Sequence, residues 1–299
     1  MSSLRRMSRD FRWGHPAAVP ATAPRREPER PVEVSTAWAR TPLARGFRAI
    51  AQGGVLAPLV RAEVSLTVVG LERLARLEGE AAILMANHAS HLDTAALLTA
   101  LPAPVRARTA VLAAADYFFT AWWKAAGTAL VFGTVPIERR GGTATTAPGE
   151  LLVDGWNLVV FPEGTRSPDG WPTRFRPGGA TLALAAGAPI LPVAVRGSYA
   201  AMPRGRSWPA PGRPQVRIAF GDPVRPRPEE DARALTLRVQ DEVARLLEED
   251  RTDWWSSLRR AAADERPALT GPPADSWRRS WEASRPVEPA PAPTRHVWS

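Results

Sequence analysis

Residues 81–93 read AAILMANHASHLD, and the change of character inside that stretch decides the fold. Ala81 to Ala86 is a short, unbroken apolar run, the pattern of a strand buried on both faces. At Asn87-His88 the run turns polar. From Ser90 the spacing becomes helical, over Leu92 to Leu101, with Asp93 in the first turn where negative charge is favoured. A buried strand passing through a polar loop into a helix is one unit of an α/β protein.

The same alternation extends outward. Val64–Val69, Trp156–Phe161 (WNLVVF), Ile190–Val195 (ILPVAV) and Gln215–Phe220 (QVRIAF) read as strands. Gly179–Ala186 reads as a helix stopped by Gly187. Pro228–Glu249 reads as a long helix, with Pro at its start, acidic residues in its first turn, and Leu235, Val239, Val243, Leu246 and Leu247 along one side. Strands alternating with helices predict a central sheet sandwiched by helices, with functional residues in loops at strand ends.

Flanking segments differ. Residues 1–34 are rich in Pro, Arg and Ala without apolar period and are expected to be disordered. Residues 35–62 mix Trp38, Leu43, Phe47, Ile50, Val55, Leu56 and Leu59 with Arg40, Arg45, Arg48 and Arg61 at near-helical spacing. Pro42, Pro58 and Gly53-Gly54 predict two short amphipathic helices here, suited to a membrane interface. The folded unit then spans 63–250, and 251–299 reads as a Pro/Arg-rich flexible tail in which RTDWWSSLRR is compatible with a short helical piece.

Composition narrows the chemistry. The 299 residues include no cysteine, which removes disulfides, thiolate zinc sites and a cysteine nucleophile. The net charge of +9 is carried almost wholly by arginine, which grips phosphate with a planar fork. Twelve tryptophans against two tyrosines suit surfaces that are dry on one side and wet on the other. No apolar run is long enough for a transmembrane helix, no secretory signal is present, and no interleaved aromatic-basic motif points to nucleic acid.

In the polar loop, Asp93 can fold back from the helix toward His88. A carboxylate on one imidazole nitrogen fixes the tautomer and leaves the other to take a proton. With no protein nucleophile evident beside the pair, the natural nucleophile is a substrate hydroxyl. The alternative from another class is a metal-dependent hydrolase using His88, His91 and Asp93. It lacks further ligands, because His15 and His296 lie in the tails. A second loop, FPEGTRS at 161–167, follows strand WNLVV and presents Glu163, Thr165 and Arg166 on a tight turn. Arg174 and Arg176 follow just before a helix N-terminus.

The ordered set of motifs resembles the glycerolipid acyltransferases, which include the 1-acylglycerol-3-phosphate O-acyltransferases. Asn87, His88 and Asp93 match their N-H-x-x-x-x-D motif, and residues 161–167 match F-P-E-G-T-R-S in full. GTVPIER at 133–139, with Gly133, Ile137 and Arg139, resembles their second motif, and ILPVAV with Pro192 their fourth. The resemblance implies a mixed central sheet flanked by helices, with N-terminal amphipathic helices. It implies that His88, oriented by Asp93, deprotonates the acceptor hydroxyl, which attacks the thioester of acyl-coenzyme A or an acyl carrier protein. Arg139, Glu163, Gly164, Thr165, Arg166 and Arg176 would bind the acceptor, most simply 1-acylglycerol-3-phosphate, with glycerol-3-phosphate or another lipid alcohol as the alternative. No metal or organic cofactor is implied. The expected location is peripheral or monotopic, on the cytoplasmic face of the cell membrane. The chain departs from the family at Phe175-Arg176-Pro177-Gly178, where the family often has F-K-x-G, and at GGTATTAPGELLVDG, which bears on the acceptor. Within DYFFTAWWKAAGTALVF at 116–132, an acyl-chain lining, a lipid contact and an ordinary buried helix are all compatible with the pattern.

Overall fold

A computed structural model describes residues 36–114, 122–137, 147–251, 254–263, 269–271 and 273–285. The expected disorder over 1–34 lies outside them. A 3₁₀ turn at Ala37–Arg40 opens into helix α1 (Pro42–Ile50), a π turn (Ala51–Leu56) and helix α2 (Ala57–Glu63). Strand β1 (Ser65–Val69) and a 3₁₀ segment (Leu71–Leu77) lead to β2 (Ile83–Ala86), α3 (Leu92–Ala100), α4 (Ala103–Ala107) and β3 (Thr109–Ala114). Next come α5 (Trp122–Phe132), β4 (Thr134–Ile137), α6 (Ala147–Val153), β5 (Asn157–Val160), α7 (Gly178–Ala186) and β6 (Ile190–Arg196). The order finishes with α8 (Ser198–Ala201), β7 (Gln215–Phe220), α9 (Ala232–Arg251), α10 (Trp254–Ala262) and α11 (Ser276–Ala283).

Seven strands form one mixed sheet in the order β1-β7-β6-β2-β5-β3-β4, and among them only the β6–β7 pair is antiparallel. The expected α/β class with a mixed, helix-flanked sheet is the one observed. Alternation along the strands sends Ile83, Met85, Leu158 and Val160 to one apolar layer and Leu84, Val111 and Val159 to the other. Each such buried side chain contributes about 1.5–3 kcal/mol. Pro192 sits inside β6 without breaking the ladder. The β7 pairing starts one residue later, at Val193 with Phe220, so the missing N–H has no strand residue opposite it.

The strand order places the site. β2 lies between β5 and β6, both of which come much later in the chain. Met85 is level with Val160 and with Pro192, so the loops after β2 and β5 leave the same edge side by side. The order reverses here, which opens a crevice at the carboxyl ends of the strands.

Three expectations on the elements are corrected. Residues 42–63 are a continuous helical path, because the glycine pair is absorbed in the π turn and Pro58 falls in the first turn of α2, where proline is tolerated. Ala57 N–H reaches back to Gln52 O, five residues away, so the N–H missing from Pro58 does not break the path. The long helix starts at Ala232, four residues after Pro228. Glu229 has φ +60°, and Asp231 Oδ1 accepts Ala234 N–H at 2.7 Å as the cap. The tail from 251 carries α10, the short helical piece that RTDWWSSLRR suggests, and a second helix, α11, where a flexible segment is expected. Trp171 Nε1 donates to Arg279 O at 2.9 Å, and Arg279 Nε donates to Asp169 Oδ2 at 2.6 Å. Gly271, at φ +76°, lies so close to the Trp171 ring that a Cβ there would come within 2.2 Å of it.

Candidate active site

His88 follows β2 by two residues. Asn87 fixes the exit from the strand: its Nδ2 donates to Val195 O at 2.9 Å, and its Oδ1 accepts Val195 N–H at 2.7 Å. The first motif residue therefore extends the β2–β6 pairing with a side chain and directs the chain toward the crevice. Ser90, fully buried, donates from Oγ to Met202 O at 2.6 Å and accepts Leu92 N–H at 3.1 Å. The loop is thus fastened at both ends before α3 begins.

Asp93 folds back as the spacing predicts. Its Oδ2 lies 2.8 Å from His88 Nδ1 and accepts the N–H groups of Ala89 and Ser90 at 2.7 and 2.8 Å. The carboxylate is fully buried, and its geometry is set by three donors from its own loop. With Nδ1 engaged, Nε2 is the imidazole nitrogen left for a substrate. The ring stacks on Phe161, the first residue of FPEGTRS, at 4.1 Å between centroids and 23° between planes.

The second loop is tied to the first through its backbone. Ser167 N–H donates to His88 O at 2.7 Å, and Ser167 Oγ accepts Gly170 N–H at 2.9 Å, which closes the end of the turn. Gly164 has φ +72°, and a Cβ there would press on the Arg176 guanidinium at 3.2 Å, so glycine serves both the turn and this approach. Thr165 Oγ1 accepts Arg204 Nη2–H at 2.9 Å.

Glu163 corrects a sequence expectation. It is buried, with Oε1 accepting His88 N–H at 2.6 Å and Oε2 accepting the N–H and Oγ1–H of Thr173 at 2.7 and 2.9 Å. Both oxygens are used inside the protein, so this carboxylate joins the two motif loops and does not face an acceptor. Burial raises its pKa to about 7, against the pull of the hydrogen bonds from Thr173 and His88.

A cavity of about 550 Å³ opens at this point. Along the strand order, the loops after β6, β2 and β5 give its lining His88, His91, Thr165, Arg166 and Arg204, and the β3, β4 and α5 side gives it Val111, Leu112, Phe132 and Ile137. Helix α5 supplies Thr128 and Phe132 to this wall, which places the end of the aromatic segment at 116–132 on the cavity. Of the sequence-predicted residues, His88, Gly164, Thr165 and Arg166 line it. Asp93 and Glu163 sit behind it, and Arg176 stands against Gly164 outside it. Arg139 lies outside the described residues. His91 faces the cavity as a neutral imidazole, its pKa lowered to about 4 by burial first and then by Arg166. Among the described residues, no three His, Asp or Glu side chains gather as metal ligands do.

Arg204 is the residue the motifs miss. Its position follows from the Ser90–Met202 tie, which the sequence does not display. Arg48, one of the arginines interspersed along residues 35–62, is buried and points inward. Its Nε donates to Leu130 O at 2.9 Å and its Nη2 to Ala129 O at 3.1 Å, while Gln52 Nε2 donates to Val131 O at 2.7 Å. Together they cap the last carbonyls of α5.

A histidine–carboxylate pair held at the switch point of a mixed sheet, above a half-apolar cavity, is an α/β site suited to taking a proton from a bound hydroxyl. Residues 65–196 match the Acyltransferase family model. It is 30% identical over 182 residues to 1-acyl-sn-glycerol-3-phosphate acyltransferase alpha of Mus musculus, covering 57% of this chain and 60% of that protein. To the Homo sapiens protein of the same name it is 31% identical over 179 residues, covering 57% and 60%. The chain thus spans about three fifths of the length of these curated relatives. Among solved structures, the crystal structure of the 1-acyl-sn-glycerophosphate (LPA) acyltransferase PlsC from Thermotoga maritima superposes with a TM-score of 0.54 at 27% identity. The match covers 70% of this chain and 88% of that one.

Proposed function

We propose that this protein is an O-acyltransferase that moves a fatty acyl group from a coenzyme A or acyl-carrier-protein thioester to the hydroxyl of a lysophospholipid, 1-acylglycerol-3-phosphate. The observation that carries the reading is the 2.8 Å contact between His88 Nδ1 and Asp93 Oδ2 at the wall of a cavity that is cationic at one end and apolar at the other. His88 Nε2 takes the proton of the acceptor hydroxyl as its oxygen attacks the thioester carbonyl. The carbon–sulfur bond breaks, and the imidazolium returns the proton to the leaving thiolate. Asp93 stabilises the imidazolium in between. The residues do this without a metal or organic cofactor. The apolar wall suits an acyl chain and the arginine end a phosphate. The deciding experiment is lipid-product analysis with purified protein, both donor types, and a panel of lysophospholipids, glycerol-3-phosphate and neutral lipid alcohols. Formation of phosphatidate supports the reading. Release of free fatty acid alone, with no acylated acceptor, overturns it.

Arg166 lines the cavity beside His88 and is assigned to the acceptor phosphate. Arg166→Ala is expected to lower kcat/KM for 1-acylglycerol-3-phosphate by about 10- to 150-fold, the loss of a hydrogen bond to a charged group. With a phosphate-free acceptor the loss should be far smaller. Equal losses on both acceptors count against the assignment.

The membrane surface is the proposed partner of α1. Leu43, Phe47 and Ile50 share one face and are 80%, 66% and 70% exposed, while Ala44 and Arg48 point inward. An apolar face turned to solvent over a polar anchor fits a lipid interface. No described helix is long and apolar enough to cross a membrane. Replacing Leu43, Phe47 and Ile50 with Ser should abolish co-flotation with liposomes while leaving turnover of a dispersed short-chain acceptor within about twofold, since none of the three caps α5. Deleting 36–62 is a poorer test, because it also removes Arg48 and Gln52. Undiminished flotation of the triple variant rules out this contact.

A further inference from the structure

A second guanidinium reaches the cavity from outside all four sequence motifs. Arg204 lies in the loop after α8 and lines the same cavity as His88, His91 and Arg166. Its place is set from two sides. Two residues earlier, Met202 O accepts Ser90 Oγ–H at 2.6 Å, which ties this loop to the one carrying His88. Arg206 N–H donates to Pro203 O at 3.1 Å and turns the chain around Arg204. From the opposite loop, Thr165 Oγ1 accepts Arg204 Nη2–H at 2.9 Å. The guanidinium is therefore held against the FPEGTRS turn, one residue from Arg166.

The charge at this end is one-sided. The described residues that line the cavity include two arginines and no carboxylate. Both arginines lie close enough to His91 to lower its proton affinity, a sign that their fields overlap there. A phosphomonoester carries about −1.5 to −2 charge near neutral pH and offers three oxygens, more than one planar fork satisfies. Two forks on separate loops match it in charge and in geometry.

We propose that Arg204 and Arg166 together bind the phosphomonoester of the acceptor, with Thr165 as the positioning residue for Arg204. This deepens the proposed function and rests on it for the identity of the acceptor. The assignment separates a phosphomonoester from a phosphodiester headgroup, which carries one charge less.

The test uses full-length protein and the variants Arg204→Ala, Arg204→Lys and Thr165→Val, with circular dichroism and melting curves as folding controls. For Arg204→Ala, KM for 1-acylglycerol-3-phosphate should rise by about tenfold or more, the size of one charge-assisted contact, while kcat changes by less than about threefold. Arg204→Lys should recover part of the loss, and Thr165→Val should show a smaller loss of the same kind. A lysophospholipid with a choline phosphodiester headgroup should be used equally well or poorly by wild type and Arg204→Ala. Unchanged KM for the phosphomonoester, or equal loss on both headgroups, overturns the proposal. Calorimetric titration with 1-acylglycerol-3-phosphate alone separates this proposal from the reaction. Binding that Arg204→Ala weakens, in a protein that acylates nothing, sinks the acyltransferase reading and keeps the site. Binding that the variant leaves intact sinks the site whatever the activity.

Discussion

His88→Ala is expected to lower kcat by about 10²–10⁴-fold, the contribution of a positioned general base, with little change in melting temperature. The side chain is partly exposed at the cavity wall, so its removal leaves no sealed void, and the loop keeps its anchors at Asn87 and Ser90. Asp93→Asn tests the other half of the pair. Asn retains one oxygen that can accept from His88 Nδ1 and from the Ala89 and Ser90 N–H groups, so the loop stays in place. The negative charge beside the imidazolium is lost. The expected fall in kcat is about 10²-fold or more, with KM for both substrates nearly unchanged, because neither substrate touches Asp93. Single-turnover kinetics on a variant with a native melting curve is the measurement. Turnover within about tenfold of wild type for His88→Ala would remove the imidazole from the chemistry, since the low end of general-base contributions lies above that.

The local pattern around these residues is legible in the sequence, and the reason is physical. The apolar run 81–86, the Ser90 helix start and Asp93 in the first turn are short-range signals, and Ile83–Ala86 and Leu92–Ala100 follow them. Strand β3, Thr109–Ala114, escapes the periodicity reading because its alanine-rich TAVLAA has neither alternation nor β-branched residues enough to mark it. Pro228 marks the approach to α9 and not its first turn, because Glu229 takes a left-handed conformation that sequence alone does not reveal. The site divides the same way. Glu163 in a polar turn reads as a ligand until the fold brings Thr173 and the His88 amide onto it. Arg204 carries no motif, since its partner Thr165 is 39 residues away in sequence. Strand order is the missing information in both cases: β5 and β6 reach their places beside β2 only through long-range pairing.

Glu163 gives the second large effect, on stability as well as turnover. Glu163→Ala leaves the amides of His88 and Thr173, and the Thr173 hydroxyl, without their acceptor in a buried position. Each orphaned N–H costs about 1–3 kcal/mol, so the variant is expected to lose about 2–6 kcal/mol and to lose turnover as the His88 loop loosens. Glu163→Gln separates this clamp from the charge. In the wild-type protein burial raises the Glu163 pKa from 4.5 to about 7, so between those values the folded state holds more protons than the unfolded state. Stability then falls as pH rises through that window and levels off above it, by a total of about 3 kcal/mol from this group. Gln does not titrate, so its urea-unfolding free energy should lack this fall between pH 5 and pH 8, even though its NH₂ must meet one of the donors and lowers stability at pH 5. The same slope in Glu163→Gln as in wild type would show that the carboxyl is not the buried titrating group, and an Ala variant as stable as wild type would dissolve the clamp between the two motif loops.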